Sequence, residues 1–105
     1  MENKLLGLLG LCRKAGKLTM GFDVTKDAME AKTALLVLFT PDLSERTARE
    51  MERLANENRC RLRKLPVPMD EIREKLGKRC GVFGICESGF ARRIEELSAD
   101  SETDL

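Results

Sequence analysis

The residues with the most chemistry to offer gather around one glycine. Arg13, Lys14 and Lys17 precede Gly21, and Phe22, Asp23 and Lys26 follow it. Leu18 to Met20 reads as a short strand, Gly21 breaks it, and Asp23 or a neighbour opens a helix. A strand passing through glycine into a helix N-terminus, with cations alongside, is suited to receive a phosphate, because backbone amides and the positive end of the helix dipole face the anion. A second basic cluster, Lys75, Lys78 and Arg79, closes a later helix. Cations at a helix C-terminus also simply complement its dipole, so the clusters by themselves leave both roles open.

Other chemistry is scarce. There is no histidine, so general acid–base catalysis would fall to carboxylates or lysine. The acids from Asp23 to Glu74 have cations nearby or lie on solvent-facing helix surfaces, where solvation and capping account for them. Ser44 and Ser88 read as N-caps, with nothing resembling a base beside either. Neither GxxxxGK[ST] nor GxGxxG occurs at a strand-to-helix turn. The four cysteines, Cys12, Cys60, Cys80 and Cys86, form no CxxC pair. They read as small apolar core residues with free thiols rather than zinc ligands. No enzyme, metal or cofactor is expected.

The totals suit one soluble domain. In 105 residues, 42% are hydrophobic and 35% charged, with a net charge of +1. That near-neutrality hides an asymmetry. All 19 Lys and Arg precede residue 98, whereas Asp100, Glu102 and Asp104 lie beyond it, leaving the body at +4. A mildly basic body with an acidic tail, expected to be disordered over 98–105, is compatible with a polyanionic partner. No signal peptide is recognisable, and no apolar run approaches a membrane span. A cytoplasmic monomer with reduced thiols is the expectation.

The elements that must position the glycine follow from periodicity. Leu5, Leu6, Leu8, Leu9 and Cys12 form one broad face of a first helix, about residues 3 to 14. Residues 23 to 31 form a second helix. Ala34 to Phe39, six apolar residues without alternation, predicts a strand covered on both faces. A third helix, 45 to 58, carries Thr47, Ala48, Met51, Leu54 and Ala55 on one stripe. Cys60 to Leu65 alternates, bears three cations and stops at Pro66, which reads as a sheet edge. A fourth helix over 70 to 79, a buried strand over 81 to 86 and a fifth helix capped by Ser88 complete the chain. Strict alternation of helix and strand implies a three-layer α/β/α sandwich with a mostly parallel sheet of about four strands. The loops at Gly21, at Thr40–Ser44 and at Glu87–Ser88 should then share one end. The Lys78 loop joins them only if the last strand runs antiparallel.

With these residues in view, the chain resembles the ribosomal protein L-seven-Ae and L-thirty-e superfamily, in its bacterial YlxQ-like branch. The resemblance is carried by LLGLCRKAGKLTMG (Leu8–Gly21), LLVLFTPDLSERT (Leu35–Thr47), KLGKRCG (Lys75–Gly81) and ESGFARRI (Glu87–Ile94), and covers residues 3 to 97. It implies a single domain over 1–97, an α/β/α sandwich with a four-stranded mixed sheet. It also implies kink-turn RNA, a sharply bent helix with tandem sheared G·A pairs, as the ligand class. Gly21 matches the glycine whose bare backbone approaches RNA. Asp23, Val24 and Asp27 stand where the strongest binders carry Asn, Glu and Lys, and Val24 has no acceptor for a guanine edge.

The residues implied as RNA-binding are Lys14, Lys17, Gly21, Phe22, Asp23, Lys26, Lys78 and Arg79. With only four Phe and no Trp or Tyr, of which Phe22 alone is expected to be exposed, stacking of single-stranded bases is disfavoured relative to reading the shape and backbone of structured RNA. The expected partner is ribosomal or ribosome-associated RNA. The alternative is a protein-interaction module on the same fold, with a protein partner and no kink-turn binding.

Overall fold

The computed structural model describes residues 2–102. Among them the order is α1 (Glu2–Lys14), β1 (Leu18–Met20), α2 (Phe22–Glu30), β2 (Leu36–Phe39), α3 (Glu45–Glu57), β3 (Arg61–Lys64), α4 (Met69–Leu76), β4 (Val82–Ile85) and α5 (Ser88–Glu102). The strands lie in the order β1-β4-β2-β3. β4 is antiparallel to both β1 and β2, and β2 is parallel to β3. The mixed sheet holds, whereas the mostly parallel sheet implied by alternation does not: β1, β2 and β3 share a direction, but only one of the three pairings is parallel.

β4 is reversed because α4 is an excursion that returns to its starting point. The chain leaves β3 through Pro66–Pro68 and starts α4 beside the loop after β2, where the Met69 amide donates to both Asp42 carboxylate oxygens at 3.2 and 3.3 Å. Eight residues span only about 12 Å. Gly77 then ends the helix at φ 80, its amide bonded to the Arg73 carbonyl at 2.8 Å. That left-handed residue stops α4 at Leu76, short of the expected end near Arg79. Arg79 in turn pairs with Asp70 in the first turn of α4 at 3.2 Å.

Two cores cover the sheet. On one face α1, α4 and α5 contribute Leu5, Leu9, Ile72 and Ile94 against Leu36, Leu38, Phe83 and Ile85. On the other, α2 and α3 contribute Met29, Met51 and Leu54 against Val37 and Val82. Each such side chain removed from water is worth about 1.5–3 kcal/mol. The alternation of Leu36, Val37 and Leu38 between these cores is why β2 shows no polar face. Leu35, expected inside that strand, precedes it and is 44% exposed. β3 is an edge strand, as its cations and terminal proline predict.

Two expected features are displaced. Ser44 caps α3 by accepting the Thr47 amide, but Ser88 is the first residue of α5 rather than its cap. The Glu87 carboxylate takes that role, accepting from Phe90 N–H at 2.7 Å. Helix α5 also continues to Glu102, and Ser98 is buried, so the segment expected to be a disordered tail begins inside a helix. Residues 103–105 of that segment lie outside the described residues.

Candidate functional site

Gly21 terminates β1 and begins α2 with φ 120 and ψ 160, a conformation that side-chain-bearing residues avoid. Its amide donates to the Val82 carbonyl at 2.9 Å and its carbonyl accepts from the Thr25 amide at 3.2 Å. No side chain caps α2, so the first amides of the helix, which lack intrahelical partners, face outward with the positive end of the dipole. A β-carbon at Gly21 would meet only Val24 Cγ2, at 3.9 Å. The backbone at this bend is bare.

The antiparallel β4 brings the expected second loop to the same end. Gly21 bonds Val82, the Thr40 amide donates to Gly81 O at 3.0 Å, and the Leu65 amide donates to Phe39 O at 2.7 Å. The loops after β1, β2 and β3 and the loop 77–81 before β4 therefore share one end. Glu87–Ser88 does not belong to it. That corner lies at the opposite end, where the Cys86 amide donates to Lys17 O at 2.8 Å.

The candidate residues divide accordingly. Gly21, Phe22, Asp23, Lys26 and the loop bearing Lys78 and Arg79 lie towards the same end of the sheet. Lys78 is exposed. Arg79 reaches back to Asp70 and lies near Met69 Sδ. Asp23 is exposed in the first turn of α2, where a carboxylate suits the dipole. Phe22, expected to be exposed, is half-buried: it packs on the α2–α3 core and forms one wall of an open cleft of about 890 Å³. Lys26 also leans towards α3. The Arg53 guanidinium holds the Glu50 carboxyl below the usual carboxylate range, and Lys26 and Arg46 add to that field.

Lys17 and Lys14 lie elsewhere. Lys17 immediately precedes β1, at the end of the sheet opposite Gly21, because a strand keeps its two ends a strand's length apart. Glu87 sits there with its carboxyl held low, first by the Phe90 and Gly89 amides and further by Lys17. Lys14 ends α1 beside the C-terminus of α4.

Arg46 and Arg49, which line the Phe22 cleft, were not singled out from the sequence. They belong to a helix whose charged faces read as solvated, and only the α2–α3 packing reveals their position. The thiols are free, Cys12 and Cys80 buried and Cys60 and Cys86 half-buried. Among the described residues no group of three or more His, Cys, Asp or Glu is placed to hold a metal ion. No helix among them is long and apolar enough to cross a membrane.

The layers and the bend together define a class: an α/β/α sandwich with a half-buried glycine bend at one end of its sheet and clusters of cations on its surface. The chain belongs to the Ribosomal protein L7Ae/L30e/S12e/Gadd45 family, whose sequence profile matches residues 3–101. It is similar to proteins named "RNA-binding protein YlxQ" from Enterococcus faecium and Bacillus subtilis (strain 168). The first is 32% identical over 96 residues, covering 91% of this chain and 92% of that protein. The second is 32% identical over 95 residues, covering 86% and 90%. In fold it resembles the structure of a protein of unknown function from Bacillus halodurans, with a TM-score of 0.84 at 23% identity over 91% of this chain and 97% of that one.

Proposed function

We propose that this protein binds structured RNA, without catalysing a reaction on it, through the end of the sheet that holds Gly21. The observation that carries the reading is the bare Gly21 backbone at an uncapped helix start, on the same end as the Lys78 loop. Family membership and the names of the two relatives support it. Phosphate would meet the α2 amides with Lys26 and Lys78 on either side, and Arg79 would hold the loop in place through Asp70. Phe22 offers a half-buried ring edge to a sugar or base, and Asp23 an acceptor for base protons. A bent RNA suits such a turn better than a straight duplex, and a kink-turn is the bend to test first. A ribosomal or ribosome-associated RNA is the natural source.

The test is titration of the protein with a kink-turn hairpin, an unbent hairpin of equal length and an unstructured single strand. Preference for the kink-turn, with affinity falling steeply as salt rises from 50 to 200 mM, supports the reading. Lys26→Glu with Lys78→Glu should weaken binding by more than tenfold. Equal and feeble binding of all three RNAs would overturn it.

A second reading, a protein-interaction module, draws on Val24, which is 50% exposed between the exposed Asp23 and Asp27. An apolar side chain flanked by two acids suits a partner with basic and apolar groups. Such an interface would show little salt dependence in its apolar part, which separates it from phosphate contact.

A further inference from the structure

We infer that the seam between the C-terminal ends of α1 and α4 is a second phosphate-binding site, one that takes the RNA backbone where it passes beyond the Gly21 bend. The inference rests on the reading of this protein as an RNA binder. The seam holds a pocket of about 410 Å³ lined by Gly10, Arg13, Lys14, Lys75 and Leu76. Three cations and no carboxylate line it, in a chain whose net charge is only +1.

Helix dipoles account for one of those cations. The Arg13 guanidinium donates to the Leu76 carbonyl and so covers the exposed carbonyl end of α4. Lys14 and Lys75 have no hydrogen-bond or ion-pair partner among the described residues. Two unpaired ammonium groups lining one small pocket leave it with uncompensated positive charge, which an anion would neutralise. A phosphodiester is the anion that the rest of the molecule indicates. Gly77 alone separates the seam residues Lys75 and Leu76 from Lys78, and its left-handed turn leads the chain from the seam into the loop at the Gly21 end. Lys14, Lys75 and Lys78 therefore form a track leading away from the bend. Gly10 leaves the pocket open: a β-carbon there would only touch Leu76 Cδ2 at 3.7 Å, but a longer side chain would fill the space.

The test is two-dimensional NMR of the ¹⁵N-labelled full chain, titrated separately with a kink-turn hairpin RNA and with inorganic tripolyphosphate. The expected result is that RNA shifts the amides of Gly21 and Phe22 at the bend and of Ala15, Gly16, Gly77 and Lys78 at the seam, while tripolyphosphate at matched phosphate shifts the seam far less. Lys14→Glu with Lys75→Glu should remove the seam shifts, raise Kd about tenfold and lower the salt slope of log K by about two, for two lost phosphates. Gly10→Leu, which changes no charge, should also silence the seam. RNA that shifts the bend and leaves the seam silent overturns this inference and leaves the bend reading intact. Tripolyphosphate shifting the seam as strongly as RNA overturns the assignment to RNA in favour of a free anion. Silence of both surfaces towards RNA removes both readings.

Discussion

The hydroxyl oxygens of Thr19 and Thr25 lie 2.8 Å apart, directly over the backbone of Gly84. Thr19 pairs with Gly84 across β1 and β4, and Thr25 is fully buried in α2. The bond ties the strand before the Gly21 bend to the helix after it, so the bend is clamped from below. A β-carbon at Gly84 would lie 2.5 Å from Thr19 Oγ1 and 3.3 Å from Thr25 Cγ2. Gly84→Ala must therefore break the clamp, and overpacking plus an unpaired hydroxyl should cost about 2–4 kcal/mol. Thermal denaturation checks it. The control is Gly7→Ala on the exposed face of α1, where nothing lies within 4 Å and better helix propensity should add about 0.5–1 kcal/mol.

Gly21→Ala separates backbone strain from crowding. No neighbour resists a β-carbon there, yet φ 120 with ψ 160 is a glycine conformation. The substitution should cost about 1–3 kcal/mol. It should also weaken binding of a kink-turn RNA when measured well below the melting temperature, because the start of α2 must shift. A melting temperature equal to that of the parent protein would contradict the strain.

Glu87 gives the α5 start a pH dependence. Its carboxyl is held below the usual range by the Phe90 and Gly89 amides, with Lys17 adding to the effect. A depressed folded pKa contributes stability above the unfolded value, about 4.3, and loses it as pH falls through the folded one. Melting temperatures of the parent and Glu87→Gln, compared from pH 7 to pH 3, should converge towards the acid end. Parallel curves would show that the charge contributes nothing.

The thiols should react in order of burial. Desolvation raises the Cys12 thiol to about 11, with smaller contributions from Cys86 and Glu87. At pH 8 iodoacetamide should modify the half-buried Cys60 and Cys86 first and leave Cys12 and Cys80 protected until unfolding, as read by mass spectrometry of time points. A raised folded pKa also means that stability is full below pH 9 and declines as pH rises from 9 towards 11.

Much of the site and fold was legible from local signals. Gly21 stood out because a strand and a helix adjoin at one residue without a side chain, and both elements occur where the pattern put them. Ser44 as a cap and β3 as an edge were likewise readable, since capping and edge exposure act over a few residues. Lys17 was misplaced because nearness in sequence to Gly21 hides the strand between them. The half-burial of Phe22 is not legible locally, because it depends on α3, a distant partner. Ser88 lost the cap to Glu87, whose longer carboxylate reaches the Phe90 amide.

The sequence by itself determined the alternation of elements, the two-faced burial of β2 and the glycine bend, because each depends on neighbours within a turn or a strand. Only the tertiary structure decided the direction of β4, through the return of α4 by Gly77 and Arg79 to the loop holding Asp42. That reversal brings the Lys78 loop to the end of the sheet that holds Gly21 and sends Glu87 to the far end with Lys17, while the packing of α1 beside α4 sets Lys14 by Lys75. Pairing across a sheet and packing across a seam join residues remote in the chain, and no local periodicity records which ones meet.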